Sequence, residues 1–447
     1  MNYDYDEKII KDALRTIETP DFDILSNVKS KMQTRKEKKH AKKRIVIPIA
    51  ACLIFALSVS VFASIPGLTN LLPFINNNML SFFRPVQISC EDNGIKMEVI
   101  GTVNDDEMAL IYVTMQDLTG DRIDETLDIY NYFLKGAHAF TSEVVNYDET
   151  TKTATIKVQA NGGEKLNGKR VSFEITSFLS DKQVFDNVDT GIDLLKIKEI
   201  AKSEVNTIDP DGFGSGGTIF NELNQNKINI LKPGELKIHL PEIDFMYISN
   251  IGYIDGRLHI QTKWSKDNIN DHGYFYFDNI SDKKISSGNI YYSVTKSGTA
   301  KNGRDYVEYI FDVQNLDLKN AKLKGHFITN GNYVTGNWKV SFEMQSVNEE
   351  KSFPCSIDLD SLQIDNISIS PLGVTLTGTL KGNENKDAAV ENIDVAVNFN
   401  DGSVRKFNSV ISRRENDKIK IKFTSDLPLY VSTAESIDIN GTRVELK

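Results

Sequence analysis

Hydrophobic and polar residues alternate over short runs in most of this chain, from about residue 86 to the end. The runs are rich in Val, Ile, Thr, Tyr and Phe and are separated by Asn, Asp and Gly, which is typical of half-buried strands in all-β sandwiches. Three stretches that open near residues 92, 255 and 371 share an order of strand, polar gap and strand. The pattern predicts a mainly β fold built from tandem, Ig-like β-sandwich modules.

The repeats also suggest boundaries. We predict a first β module with a short juxtamembrane helix at 66–200, a second β module at 246–350 and a third at 351–447. Residues 201–245 contain the turn-rich sequence DPDGFGSGG, which marks either a linker or an excursion from one module.

A different pattern precedes the β region. Ile45 to Ile65 form a run of 21 residues without a charge, and as a helix this run spans about 31 Å, the thickness of a bilayer core. A cleaved signal peptide is the alternative, but the apolar run is long for one and 44 residues precede it. We therefore predict a transmembrane helix at 45–65.

Charge predicts the orientation of this helix. Residues 1–44 carry 12 basic and 8 acidic groups, whereas residues 66–447 carry 40 and 54. The basic residues gather directly before the apolar run and end in Lys42, Lys43 and Arg44. By the positive-inside rule the N-terminus is cytoplasmic and the C-terminal region extracellular, with the basic flank contacting anionic membrane lipid and not nucleic acid.

The cytoplasmic segment 1–44 is predicted to hold two short amphipathic helices. Thr19 and Pro20 are suited to the N-cap and first position of the second helix. The apolar positions that share a face on the two helices are Ile10, Ala13, Leu14, Ile17, Phe22, Leu25, Val28 and Met32. So short a segment buries little by itself, so it is either a loose hairpin or the binding site of a cytoplasmic partner.

No recognisable catalytic or metal-binding motif is present. The histidines after residue 138 lack paired spacing, and no nucleophile elbow, P-loop or dinucleotide fingerprint occurs. Cys90 and Cys355 lie far apart outside the membrane, so a disulfide is possible but not indicated. We predict that the protein is not an enzyme and has no catalytic residues, metal site or cofactor.

The order of segments resembles a family of single-pass membrane proteins of Gram-positive bacteria. The most specific stretches are ETPDFDILSNVKSKM before the membrane and ISNIGYIDGRLHIQ at 248–261. Members of this domain-of-unknown-function family are found beside extracytoplasmic-function sigma factors and are regarded as anti-sigma-factor-like. The resemblance implies a signalling regulator whose cytoplasmic helices bind a sigma factor and whose outer modules sense an envelope signal through an unknown extracytoplasmic ligand.

Two other functions stay open. The chain also fits a cell-surface binding or adhesion protein without a cytoplasmic partner, although two apolar helix faces argue against a segment that only sets topology. A membrane-tethered hydrolase would need a carboxylate pair in a cleft, which a sequence does not reveal. The zinc-binding type of anti-sigma protein is disfavoured, because residues 1–44 contain no cysteine and only His40.

Overall fold

The mainly β prediction is confirmed by the computed structural model of the chain, in which antiparallel sheets dominate. The structure describes residues 81–162, 165–201, 204–209, 213–222, 227–234, 236–265, 269–278, 285–314, 316–347, 349–381, 390, 393–407, 409–425 and 428–446. Within these ranges, no helix combines the length and apolar character that a membrane crossing requires.

The first third of the described chain contains seven strands: β1 (Arg84–Asp92), β2 (Ile95–Asn104), β3 (Met108–Asp117), β4 (Asp128–Lys135), β5 (Ala139–Asp148), β6 (Thr153–Asn161) and β7 (Arg170–Asp189). Five of them form the first sheet in the order β1-β2-β3-β6-β5.

The middle third begins with short elements: a 3₁₀ turn η1 (Leu194–Lys196), β8 (Val205–Ile208), β9 (Gly214–Gly217), helix α1 (Ile219–Glu222) and β10 (Ile228–Leu231). Six longer strands follow: β11 (Met246–Ile254), β12 (Arg257–Trp264), β13 (His272–Asp278), β14 (Ser287–Val294), β15 (Ala300–Asp312) and β16 (Lys322–Glu343). The second sheet has the order β11-β12-β15-β14-β9, and β10 pairs with β8.

The C-terminal part, residues 351–446, contains β17 (Lys351–Asp358), β18 (Leu362–Ser370), β19 (Gly373–Leu380), β20 (Val395–Phe399), β21 (Val404–Lys406), β22 (Ser409–Glu415), β23 (Lys418–Thr424), β24 (Ala434–Ile439) and β25 (Thr442–Glu445). Its two sheets have the orders β17-β18-β19-β23-β22 and β21-β20-β24-β25. Both contribute to one hydrophobic cluster, the third core, which includes Ile367, Leu376, Ile421, Val397 and Ile437.

Tight turns fix the register of three hairpins. The turn residues are Asn93-Gly94, Asp255-Gly256 and Asn440-Gly441, and all six have φ between 47° and 81°. Positive φ at both central residues defines the type I′ turn, whose twist matches that of paired strands, and Asn-Gly and Asp-Gly adopt it most readily. These dipeptides therefore place each hairpin in a single register.

A long two-stranded ribbon connects the first and middle thirds. β7 and β16 pair from Lys324↔Asp189 to Glu343↔Arg170, and β13 and β4 flank them in a sheet of order β13-β16-β7-β4. The predicted ranges 66–200 and 246–350 thus share this ribbon sheet. Within the predicted 201–245 segment, β9 pairs with β14 of the second sheet.

The ribbon buries opposite faces at its two ends. Val334 and Trp338 contact the first core, which the first sheet completes with residues such as Met97 and Ile111. Phe327 belongs to the second core, together with residues of the second sheet. The pairing of β16 runs without irregularity from Phe327 to Thr335, and side chains an odd number of positions apart on a strand lie on opposite faces. The first and second sheets therefore pack on opposite sides of the ribbon.

Several predictions fall on residues outside the described ranges. These are the cytoplasmic helices with their apolar faces, the basic flank Lys42, Lys43 and Arg44, and the transmembrane helix. Of the predicted juxtamembrane helix, the structure describes only the end, where Phe82 lies in a turn and Phe83 immediately precedes β1.

Candidate functional site

An acidic turn between β2 and β3 projects carboxylates toward the C-terminal part. Asp105 Oδ1 accepts hydrogen bonds from the backbone N–H groups of Glu107 and Met108, at 3.2 and 2.8 Å. Asp106 adopts φ 79°, and its N–H donates to Asn104 Oδ1 at 2.8 Å. These local bonds shape the turn and direct Asp105 and Glu107 outward together.

Lys422 of β23 meets both carboxylates. Its Nζ lies 2.6 Å from Asp105 Oδ2, 3.2 Å from Glu107 Oε2 and 3.3 Å from Ser370 Oγ. Lys422 is only 3% exposed and Asp105 5%, so this is a buried ion pair between residues 317 apart in the chain. Its burial requires that the first sheet and the C-terminal part stay docked.

Neighbouring side chains complete the site, which we call the junction. Thr375 lies opposite Lys422 on β19 and donates to Glu107 Oε2 at 2.6 Å, while Ser370 Oγ donates to Asp105 Oδ2 at 2.5 Å. Lys420, two residues before Lys422 on the same face of β23, pairs with Glu107 Oε1. The carboxylate oxygens therefore have partners on three strands of the C-terminal part.

Electrostatics keep Glu107 and Lys422 charged. Burial by itself raises the pKa of Glu107, but the charge of Lys422 and the bonds from Lys420 and Thr375 outweigh it and lower the pKa to about 2. Burial likewise lowers the pKa of Lys422, yet Asp105 and Glu107 outweigh burial and raise it above the usual lysine value. Each partner thus stabilises the ionised form of the other.

A cleft opens beside the junction. Its volume is about 300 Å³, and its lining comes from both sides of the interface: Asp106, Glu107, Asn161, Lys165, Glu350, Ile411, Arg413, Lys420 and Lys422. The lining includes carboxylates, lysines and an arginine, and a small molecule in this cleft would contact the first sheet and the C-terminal part at once.

The start of the described chain lies at the same interface. Phe83 is fully buried, with its ring 6.1 Å from that of Tyr112 on β3. A Cβ atom on Gly101 would lie 2.4 Å from the Phe83 ring. Any larger residue at position 101 would therefore clash with Phe83 in its buried position. Phe82 is also buried, and its ring lies 6.0 Å from Tyr430 of the C-terminal part. We call Ser81–Arg84 the connector.

A second buried polar cluster lies inside the middle third. Glu308 accepts hydrogen bonds through both oxygens from the N–H of Leu231, at 2.9 and 3.1 Å. It also accepts one from the Tyr292 hydroxyl at 2.9 Å, and His259 Nδ1 lies 2.7 Å away. Gln261 bonds to the carbonyl of Leu231 at 2.9 Å. The cluster attaches β10 to the second sheet, and burial and Glu308 hold the pKa of Tyr292 well above its usual value.

The cysteines do not bridge these sites. Cys90 and Cys355 are free thiols, on β1 and β17 respectively. Burial raises the pKa of both, so each behaves as a small hydrophobic residue beside its core. Among the described residues no group of three or more His, Cys, Asp or Glu side chains is placed to hold a metal ion.

Sequence reasoning missed the junction. The run Lys418, Lys420, Lys422 alternates with Ile419 and Ile421, which indicates a strand with a solvated basic face, whereas Lys422 is buried. The sequence nevertheless contains a signal for the ion pairs. Asp105 and Glu107 are two positions apart, as are Lys420 and Lys422, and the two pairs have opposite charge. A single sequence gives no means of pairing the two.

No family model matches the sequence, and no curated protein matches it. Among solved structures, the chain aligns with the crystal structure of the conserved domain protein from Bacillus anthracis. The two are 10% identical, the alignment covers 84% of this chain and 94% of that one, and the TM-score is 0.21.

Proposed function

We propose that the protein is a membrane-anchored signalling regulator of the anti-sigma-factor type. In this proposal the helices of residues 1–44 bind a sigma factor, the 45–65 helix crosses the membrane beside anionic lipid, and the outer region senses an envelope signal. The charge asymmetry and the apolar faces of the N-terminal segment support it, together with the family resemblance.

We infer further that the outer region is a tandem of Ig-like β-sandwich modules. The support is that each main core draws its residues from two antiparallel sheets, which is how sandwiches bury their inner faces.

The single observation that carries the signalling proposal is the burial of the connector. Phe82 and Phe83 follow the proposed membrane helix by fewer than twenty residues, and they are held between the first sheet and Tyr430 of the C-terminal part. Undocking the C-terminal part removes the cover from Phe82. A signal that changes docking at the junction therefore also changes how the connector is held, and the connector leads back to the proposed membrane helix. The docked and undocked forms are the two states that such a switch requires.

The cytoplasmic half of the proposal is tested with Leu14→Asp combined with Leu25→Asp in the full-length chain. Charge on the buried faces releases the partner, so the sigma factor should no longer co-purify and a reporter of its promoter should become constitutively active. The matched control is Lys8→Asp with Asn27→Asp, which adds acids on the opposite helix faces. Normal protein levels, an unchanged reporter and no sigma factor co-purifying with the wild type would favour the surface-binding alternative.

Topology is tested separately. In a full-length chain whose native cysteines are replaced by serine, a membrane-impermeant thiol reagent should label Ser142→Cys in intact cells after the wall is opened. Ser26→Cys should be labelled only after lysis. Labelling of position 26 alone in intact cells would reverse the proposed orientation.

A further inference from the structure

The face of the ribbon sheet opposite the second core carries a cluster of aromatic and hydrogen-bonding side chains. Phe275 and Phe327 point into the second core, so their neighbours Tyr274 and His326 lie on the other face. Tyr274 and His326 are directly opposite each other on β13 and β16. Their rings stack at 5.1 Å with an interplanar angle of 23°. Although aromatic, Tyr274 is 54% exposed.

A bulge on β7 adds polar groups to this face. The register shifts between Gly325 and Phe327 of β16, so that Asp186 and Asn187 both lie opposite His326, and Asn187 adopts φ 57°. Asp186 bonds to His326 Nδ1, and Asn187 Oδ1 accepts from the Tyr276 hydroxyl at 2.7 Å. Bulges commonly re-aim side chains at functional sites. The amide group of Asn187 carries two further N–H donors.

The next row of the face is apolar. Val184 of β7 lies opposite Ile328 of β16, and Val184 is 49% exposed. Three neighbouring strands, about 10 Å from the first to the third, thus bring five groups together. These are the Tyr274 ring, the aliphatic side chains of Val184 and Ile328, the Asp186 carboxylate and the Asn187 amide. Exposed apolar surface rimmed by polar groups is characteristic of a binding site.

Charge selects the kind of ligand. Opposite charges meet on this face, since Lys324 Nζ lies 2.7 Å from Asp278 Oδ2 and Asp186 lies against His326. The exposed Lys322 and Asp189 at the end of the face add one charge of each sign. A polyanion or a polycation therefore meets no excess of opposite charge here. An uncharged ligand with apolar C–H faces and many hydroxyls matches the combination of rings, carboxylate and amide.

We propose that this face, formed by Tyr274, Tyr276, His326, Asp186, Asn187 and Val184, is a binding site for a neutral oligosaccharide. The C–H face of a sugar ring packs on Tyr274, and its hydroxyls bond to Asp186 and Asn187. The proposal does not depend on the signalling function, since a surface-binding protein would use such a site equally.

The test uses the full-length chain in lipid nanodiscs and two probes, the β-1,4-linked tetrasaccharides of glucose and of N-acetylglucosamine, with binding measured by calorimetry and saturation-transfer NMR. Tyr274→Ala should weaken binding about tenfold or more, because it removes the central ring. Tyr274→Phe, which keeps the ring, should stay within about threefold of the wild type. Asp186→Asn should weaken binding with little change in the melting temperature.

Tyr333→Ala is the matched control. Tyr333 is 39% exposed and packs on Tyr130, and its odd spacing from His326 puts it on the opposite face of β16. It should bind both probes like the wild type. Absence of saturation transfer from the wild-type protein to either probe overturns the proposal, as does an equal loss for Tyr333→Ala and Tyr274→Ala. Binding of an oligo-arginine peptide in place of the sugars, lost in Tyr274→Ala, overturns it in favour of a cationic ligand.

Discussion

At the scale of single residues, Lys422 shows how one side chain joins two parts of the molecule. A lysine almost fully removed from water is stable only where acids and hydroxyls replace the lost hydration, and Asp105, Glu107 and Ser370 do so. Two of these partners come from the other side of the interface, so the energetic role of Lys422 exists only in the docked protein.

Replacing Lys422 by methionine should therefore destabilise the docked state strongly. The substitution leaves Asp105 buried without its cation, and breaking a buried pair in this way costs about 3 to 5 kcal/mol. Denaturant unfolding of the full-length protein in detergent, followed by tryptophan and tyrosine fluorescence, measures the loss. Lys418→Met is the control, because Lys418 is an exposed residue of the same strand and should change stability by less than about 0.5 kcal/mol. Equal effects would contradict the role assigned to Lys422.

The connector gives a second prediction at this scale. Gly101→Ala places a Cβ against the Phe83 ring, and overpacking of this kind costs about 1 to 3 kcal/mol. Gly216→Ala is the control, since its Cβ would meet only ordinary contacts. Phe83→Leu combined with Gly101→Ala should recover part of the loss in thermal unfolding. If Gly101→Ala alone is as stable as the wild type, the connector is not held as described.

At the scale of elements, local sequence encodes the tight hairpins but not the long-range pairings. Asn-Gly and Asp-Gly turns between alternating runs predict two-residue hairpins, and the strands around 93, 255 and 440 pair in that way. Nothing local to β7 indicates β16 as its partner, because both have the same alternation as a dozen other runs. The irregularity in this pairing between Thr335 and Trp338 was likewise not predicted.

The docking of the acidic turn on β19 and β23 should depend on pH. The pKa of Glu107 is about 2 in the folded protein, against 4.5 ordinarily. A pKa lowered by folding contributes stability that is fully present above the ordinary value and is lost as the pH falls toward the folded value. Stability should therefore fall between about pH 5 and pH 2, and the fall should be shallower in Glu107→Gln. Unfolding free energies of both proteins across this range measure the difference, and identical slopes would contradict the assignment.

At the scale of the whole molecule, the ribbon makes the first and middle thirds interdependent. Each would otherwise be a separate module, but one pair of strands contributes to both cores. The C-terminal part has a core of its own and meets the first sheet through polar contacts and the connector. The sequence repeats therefore indicate the number of strand-rich segments more reliably than the number of units that unfold together.

Native-state hydrogen exchange on the full-length protein tests this interdependence. Phe327→Ala removes a fully buried ring from the second core, at a cost of about 3 to 5 kcal/mol. Because the ribbon is shared, protection should also fall in β2 and β3 of the first sheet. Ile437→Ala is the control: it also removes apolar volume from the third core, but on β24, in the sheet that holds no junction residue, so β2 and β3 should stay protected. A loss confined to the second sheet in Phe327→Ala would show that the two thirds unfold independently.

The shared ribbon also determines when, during synthesis, the first core can finish folding. Trp338 closes the first core and donates its indole N–H to the carbonyl of Ile95, a residue 243 positions earlier. A chain made from its N-terminus thus presents the first sheet long before the strand that covers it exists. Contacts of such long sequence separation form slowly, and exposed apolar sheets aggregate while they wait. Newly synthesised chains are therefore expected to need a holding chaperone until β16 is complete, and truncation anywhere before residue 343 should leave the first sheet prone to aggregation.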